Sequence, residues 1–226
     1  YDTPSITNVV ATYPNSPLCL GLYNPWTVNW YTDQQIKCMY PELGPKAGYA
    51  VTCIYGLPDP NFNRLSFMDV VDALDESPRP TILALQQNFP PEIAGKIGLA
   101  GGNMTSAMKT LGCLGCISNG PSRDIDEIRP MKFQYMITGI TPGHGEQAVH
   151  AVNVPVSICG MDVAPGEIIQ MDENGAVKFP ASRMAEVLEN VQQLVKEEGE
   201  LQEKIMKSNN RVEVRSAFRG EEYSEK

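Results

Sequence analysis

The spacing of apolar residues changes its rhythm twice along the chain, and each rhythm predicts a different kind of element. Residues 1–40, with stretches such as TYPNSPLCLGLYNPW, are rich in Pro, Asn and Tyr and weakly periodic, so they predict an irregular or short-helix entry region. AGYAVTCIYG (47–56) is a glycine-bounded run of small, aromatic and β-branched residues, the composition of a buried strand, and DPNFN after it reads as a loop. SFMDVVDALDES (66–77) sets Phe67, Val70, Val71 and Leu74 at helical spacing, with Pro78 and Pro80 ending the helix. TILALQQ (81–87) predicts a strand. GLAGGNMTSAMKTLGCLGCISNGPSRDIDEI (98–128) then supplies a glycine-rich turn, a helix over Met104 to Leu111 and a strand ending near Ser118.

From Lys132 the rhythm shortens. FQYMITG, VNVPVSICG, MDVAPGEIIQMD and GAVKFP are brief apolar stretches punctuated by Pro and Gly, which predicts hairpins and sharp corners in a β-rich layer. From Ser182 to about Ile205, Met184, Val187, Leu188, Val191, Leu194 and Val195 recur at three-and-four spacing, an amphipathic helix with Gly199 as its weak point. Residues 208–226 are polar, a mobile tail or a contact with a neighbouring subunit. No repeat is visible, and the order of elements is α/β.

Composition narrows the partners. At 226 residues and 42% hydrophobic content the chain can bury a sizeable core, and a formal charge of -9 with a pI near 4.8 repels phosphate backbones and anionic lipid. The expected partners are therefore small molecules or proteins, with no nucleic acid and no membrane. No apolar run reaches membrane-spanning length and the N-terminus lacks signal-peptide regions, which reads as cytoplasmic; the start at Tyr1 leaves upstream residues open. The six cysteines are scattered through apolar segments and read as reduced, buried thiols. Within CLGC the lone C-x-x-C has no second pair, and its internal glycine suggests a helix-to-strand turn. His144-Gly145-Glu146 has the H-x-E form of zinc deaminases, but the C-x-x-C stands upstream without its Pro, so that reading fails. His144 and His150 read as loop and strand residues, and Trp26, Trp30 and Tyr31 as core rings before pocket lining. NMT at 103–105 is a glycosylation sequon that a cytoplasmic chain would not use.

The segment 98–128 carries the candidate chemistry. With a helix beginning near Met104, Gly101, Gly102 and Asn103 stand at its start, where unpaired amides and the helix dipole favour an anion; taken alone, the turn reads as a tight turn with an ordinary cap. The turn matches neither phosphate-loop nor dinucleotide spacing. Arg123 and Asp124, adjacent on a loop, are expected to point apart. Arg123 can then clasp a carboxylate through two parallel bonds, and Asp124 can hold a hard cation such as Mg2+ or Mn2+. The alternative is a solvated surface pair, with Asp126 and Glu127 as loop charges.

LGCLGCISNGPSRDIDEI resembles the signature of the RraA-like proteins, which include class II 4-hydroxy-4-methyl-2-oxoglutarate aldolases, oxaloacetate decarboxylases and a regulator of ribonuclease E. VPVSICGMDVAPGEIIQMDENGAVKFP resembles the same family's strand pair, and MYPELGPKAGYAVTC its early strand, so the likeness covers roughly residues 39–180 of a single domain, with the helix of 181–207 after it. The resemblance implies a swivelling β/β/α sandwich, assembled as a homotrimer or dimer of trimers with active sites at subunit boundaries. It implies a metal on Asp124, substrate binding and catalysis by Arg123 and Asp124, and a substrate carboxylate received by the turn of Gly102, Asn103, Met104 and Thr105. The implied reaction is metal-dependent carbon-carbon cleavage or decarboxylation of a 2-oxo acid through a pyruvate enolate. Family aldolases also take an acid from a neighbouring subunit, for which Glu197, Glu200 and Glu203 offer only a helical charge face.

The chain departs from the pattern in two places. Many catalytic relatives carry an acid where Gly102 stands, and that acid positions the water that protonates the enolate. Asn8 stands where relatives often have an aspartate. A non-catalytic regulatory member and a lyase acting on a larger substrate are the other classes compatible with these departures.

Overall fold

The computed structural model describes residues 1–13, 16–27 and 29–218. Among them the helix α1 (Thr3–Val10) leads through irregular chain to β1 (Lys37–Cys38), β2 (Lys46–Gly56), α2 (Phe67–Glu76), β3 (Thr81–Asn88) and the short α3 (Pro91–Ala94). The helix α4 (Gly102–Thr110), β4 (Cys113–Ser118), the single turn α5 (Ile125–Ile128) and β5 (Gln134–Ile137) follow. The β-rich half holds β6 (Ala148–Val152), β7 (Val156–Ile158), β8 (Met161–Val163), β9 (Ile168–Asp172) and β10 (Gly175–Phe179), and α6 (Met184–Met206) and α7 (Arg211–Ala217) end the chain.

The fold is α/β. Its main sheet runs β1-β5-β4-β3-β2-β9-β10, with β2, β3, β4 and β5 parallel. The long β2 serves two antiparallel partners in succession: Lys46 to Tyr49 pair with β9, and Cys53 to Gly56 pair with β6. β3 explains why a continuous apolar run is needed here. Leu83 and Leu85 face one core with Val70, Leu74 and Met108 from α2 and α4, while Ile82 and Ala84 face a second core with Val156, Ile158, Met161 and Val163 of the β7–β8 hairpin. Helices thus cover one face of the sheet and a β hairpin the other, and a strand covered on both faces shows no polar alternation. A third cluster joins α1 to α6 through Ile6, Val9, Val10, Val187 and Val191, with Trp30 beside them.

Local chemistry sets the helix ends. Ser66 and Asp69 form a reciprocal capping box at the start of α2, and Asp2 caps α1 by accepting from Ser5 N–H at 3.1 Å. α1 is also pinned from a distance. The buried Asp172 accepts from Thr3 N–H at 2.7 Å and, through its other oxygen, from Asn174 N–H at 2.8 Å. Asp172→Ala leaves those amides without partners, and we expect it to lower stability by about 1–3 kcal/mol in urea unfolding, with Asp172→Asn costing less.

Three expectations need correction. Cys113 and Cys116 are buried free thiols within β4, and the turn before it is made by Gly112 at φ +83, not by the glycine between the cysteines. Gly115 is required for close approach instead, since a Cβ there would stand 2.6 Å from Gln134 O on the neighbouring strand. Burial pushes the Cys116 thiol well above its usual range, the state of an inert core cysteine. The polar tail contains α7, begun by Asn210, whose side chain accepts from the amides of Val212 and Glu213; residues 219–226 of that tail lie outside the described residues, as do Pro14 and Asn15 of the entry region. Trp30 is a core ring, 2% exposed and stacked on Tyr23, whereas Trp26 is 89% exposed. No helix among the described residues is long and apolar enough to cross a membrane.

Candidate functional site

The parallel arrangement of β3 and β4 brings the segments that follow them to one edge of the sheet, where ligands characteristically bind in open α/β folds. Hydrogen bonds lock those two segments together: Leu99 N–H donates to Pro121 O at 3.0 Å, and the buried Ser122 hydroxyl donates to Ala100 O, while Gly98 N–H ties the turn to Gly143 O of the loop after β5 at 2.8 Å. The glycine turn at 98–102 and the Arg123-Asp124 loop are thus held as one unit, although more than twenty residues separate them.

Asp124 occupies the left-handed region at φ 61, a conformation Asp tolerates better than most residues, and its carbonyl opens α5 by accepting from Ile128 N–H at 3.0 Å. Tyr40 braces that turn by donating its hydroxyl to Ile125 O at 2.8 Å; burial, above all, pushes the Tyr40 phenol up to about 12, so it remains a donor. Asp124 Oδ2 receives two bonds, from Gly102 N–H at 3.1 Å and Arg123 Nε at 3.2 Å. The side chains of Arg123 and Asp124 therefore converge, against the expectation that they point apart. The reason lies in the αL turn and the helix start beside it: the amide of Gly102 draws the carboxylate back under Arg123. Close approach at Gly101 makes this possible, since a Cβ there would stand 2.3 Å from Asp124 Oδ2.

A cavity of about 200 Å³ opens onto this arrangement, lined by Gly101, Gly102, Asn103, Met104, Arg123 and Asp124 among others. α4 begins at Gly102, two residues earlier than its sequence pattern suggests, so Asn103 and Met104 hold the second and third positions, where an α-helix leaves the amide without an intrahelical partner. Thr105 does not join them. It is fully buried, its amide donates to Gly101 O at 2.9 Å, and its hydroxyl lies 2.8 Å from both Gly101 O and Tyr135 Oη. It anchors the turn from behind. Burial raises the Tyr135 phenol well above its ordinary value, so that pair is a neutral structural contact.

Glu127, read from the sequence as a loop charge, lies against the helix start. A Cβ placed on Gly102 would stand 2.1 Å from Glu127 Oε1, so the Glu127 carboxylate fills the space that a side chain at 102 would enter. The i,i+3 spacing of Asp124 and Glu127 across the single turn of α5 is the signal that could have marked it. His144 lines the same cavity from the loop before β6, whereas His150 stacks on Phe62 at 4.3 Å and bonds Leu57 O through Nε2.

Asp124 Oδ1 accepts from no donor among the described residues, and no group of three or more His, Cys, Asp and Glu side chains among them is arranged to hold a metal. One free carboxylate oxygen beside an open cavity fits a hard cation that keeps most of its waters, and does not fit a tight all-protein cage for a transition metal.

Comparison with known proteins gives a consistent picture. The family model described as RraA-like, Aldolase/RraA, matches residues 27–178. An uncharacterized protein of Methanocaldococcus jannaschii is 31% identical over 47% of this chain and 52% of its own length. A 4-hydroxy-4-methyl-2-oxoglutarate aldolase of Thermus thermophilus is 30% identical over 38% of this chain and 52% of its own. Over those alignments the chain spans about half the length of the curated relatives. An uncharacterized Pseudomonas syringae protein of known structure superposes with a TM-score of 0.67 over 83% of this chain and 81% of its own, at 21% identity, which speaks for the fold.

Proposed function

The chain belongs to the RraA-like family, and on that premise we propose that it is a divalent-metal-dependent lyase that cleaves a carbon-carbon bond of a 2-oxo acid to give a pyruvate enolate. The observation that carries this reading is the meeting, at one cavity, of a carboxylate with a free oxygen, a guanidinium and the unpaired amides of a helix start. Relatives named as 4-hydroxy-4-methyl-2-oxoglutarate aldolases support the reaction class.

Each residue has a task that follows from its position. Arg123 spends its Nε on Asp124, so its two terminal nitrogens remain to form a fork toward the substrate carboxylate. The amides of Asn103 and Met104 face the same carboxylate from the helix start, adding partial positive charge without reorganisation. Asp124 Oδ1 would be the ligand for Mg2+ or Mn2+, with the carboxylate held in place by the two bonds on Oδ2. When bound, that cation polarises the 2-oxo group and stabilises the negative charge that develops as the bond breaks. Glu127 positions the water that returns a proton to the enolate, the role that falls to an acid at position 102 in many relatives. Trimeric assembly, with sites at subunit boundaries, belongs to the same proposal.

The test is direct. The full chain is incubated with oxaloacetate and with 4-hydroxy-2-oxo acids, and pyruvate is followed with Mg2+ or Mn2+, with EDTA, and after metal is restored. We expect pyruvate release that EDTA abolishes and added metal recovers; release indifferent to EDTA would remove the metal from the mechanism.

A further inference from the structure

The candidate site does not end at the small cavity. A second cavity of about 410 Å³ lies beside it, and Met104 and Gln147 line both. The second cavity lies in the size class of small-molecule sites, roughly 300–1,000 Å³. The two differ in chemistry. The smaller has Arg123, Asp124, His144 and the helix start. The larger is walled by Tyr55, Phe62, Leu65, Phe67 and Val149, and no Lys, Arg or His lines it; its one charged side chain is Asp59, already accepting from Asn61 N–H at 2.7 Å. An anionic group placed there would lose water, meet no cation from this chain's own residues and face a carboxylate.

Resting on the lyase reading above, we propose that this chain acts on 4-hydroxy-2-oxo acids whose C4 carries an uncharged, apolar substituent such as an aromatic ring, and not a second carboxylate. The 2-oxo-acid head lies in the smaller compartment. The substituent fills the larger compartment against Phe62, Leu65 and Phe67. In the cleavage the C3–C4 bond breaks and its electron pair passes to C3 of the pyruvate enolate. The C4 hydroxyl loses its proton to water and becomes the aldehyde carbonyl, and a water proton then returns to C3.

The experiment compares the full chain, with Mg2+, on 4-hydroxy-2-oxo-4-phenylbutanoate and on 4-hydroxy-2-oxoglutarate, measuring pyruvate release from each. Exchange of pyruvate methyl protons with deuterium oxide, which needs only the head compartment, is followed in parallel. We expect kcat/KM at least tenfold higher for the phenyl compound, and that ratio to fall at least tenfold in Leu65→Arg, which places a cation in the larger compartment. If that variant does not fold, the wild-type ratio alone decides. Methyl exchange together with equal or faster cleavage of the dicarboxylate would overturn this inference and leave the lyase reading standing. Neither exchange nor cleavage would overturn both.

Discussion

Asp124→Asn is expected to lower metal-dependent exchange of pyruvate methyl protons by about 10³-fold, the rate equivalent of about 4 kcal/mol. The substitution is chosen because it separates charge from shape. An asparagine keeps an oxygen that can accept from Gly102 N–H, the bond that now measures 3.1 Å, so the helix start and the left-handed turn keep their geometry. What goes is the negative charge that would draw a cation into the cavity and that now balances the Arg123 guanidinium. With that charge removed, Arg123 faces the cavity as an unpaired cation, so a carboxylate ligand can still bind while the metal does not. Mn2+ affinity measured by paramagnetic resonance should fall together with exchange, and oxalate binding in the absence of metal should fall little or rise. Unchanged exchange and unchanged Mn2+ affinity would remove Asp124 from the metal role.

The parts of this molecule that were legible in its sequence are those decided by neighbours along the chain. β2 and β3 announce themselves because strands buried on both faces need unbroken apolar runs, and α2 because apolar residues at helical spacing are followed by two prolines. Arg123 and Asp124 were legible as a motif. Their mutual bond was not, because it depends on an amide contributed from 22 residues upstream, and no local pattern encodes which carboxylate that amide meets. Thr105 fails as a binding residue for a related reason: one step further into the helix, its amide already has a carbonyl partner. Gly115 punctuates nothing, since its smallness answers to a strand alongside it and not to a turn. α7 shows the limit in the other direction, where a polar stretch without core spacing still forms a helix because Asn210 caps it.

The proposed role of Glu127 can be isolated by exchanging the acid between two positions. Glu127→Ala should lower pyruvate release about 10²-fold, the usual scale for losing a group that manages a proton. Gly102→Asp should also lose activity, because its Cβ would enter the space now held by the Glu127 carboxylate, 2.1 Å from Oε1, and because two carboxylates so close repel each other. Combined, the two substitutions remove the clash and put one acid back in the same volume from the opposite side. The double variant should therefore exceed the weaker single variant at least tenfold in kcat. Independent sites would instead give losses that add, so the sign of the coupling is the readout. Exchange of pyruvate methyl protons should follow the same order, since that exchange also requires a proton to be delivered to C3. Unchanged rates for Glu127→Ala in both assays would show that Glu127 does not handle the proton, and would leave its carboxylate as a charge that merely happens to cover Gly102.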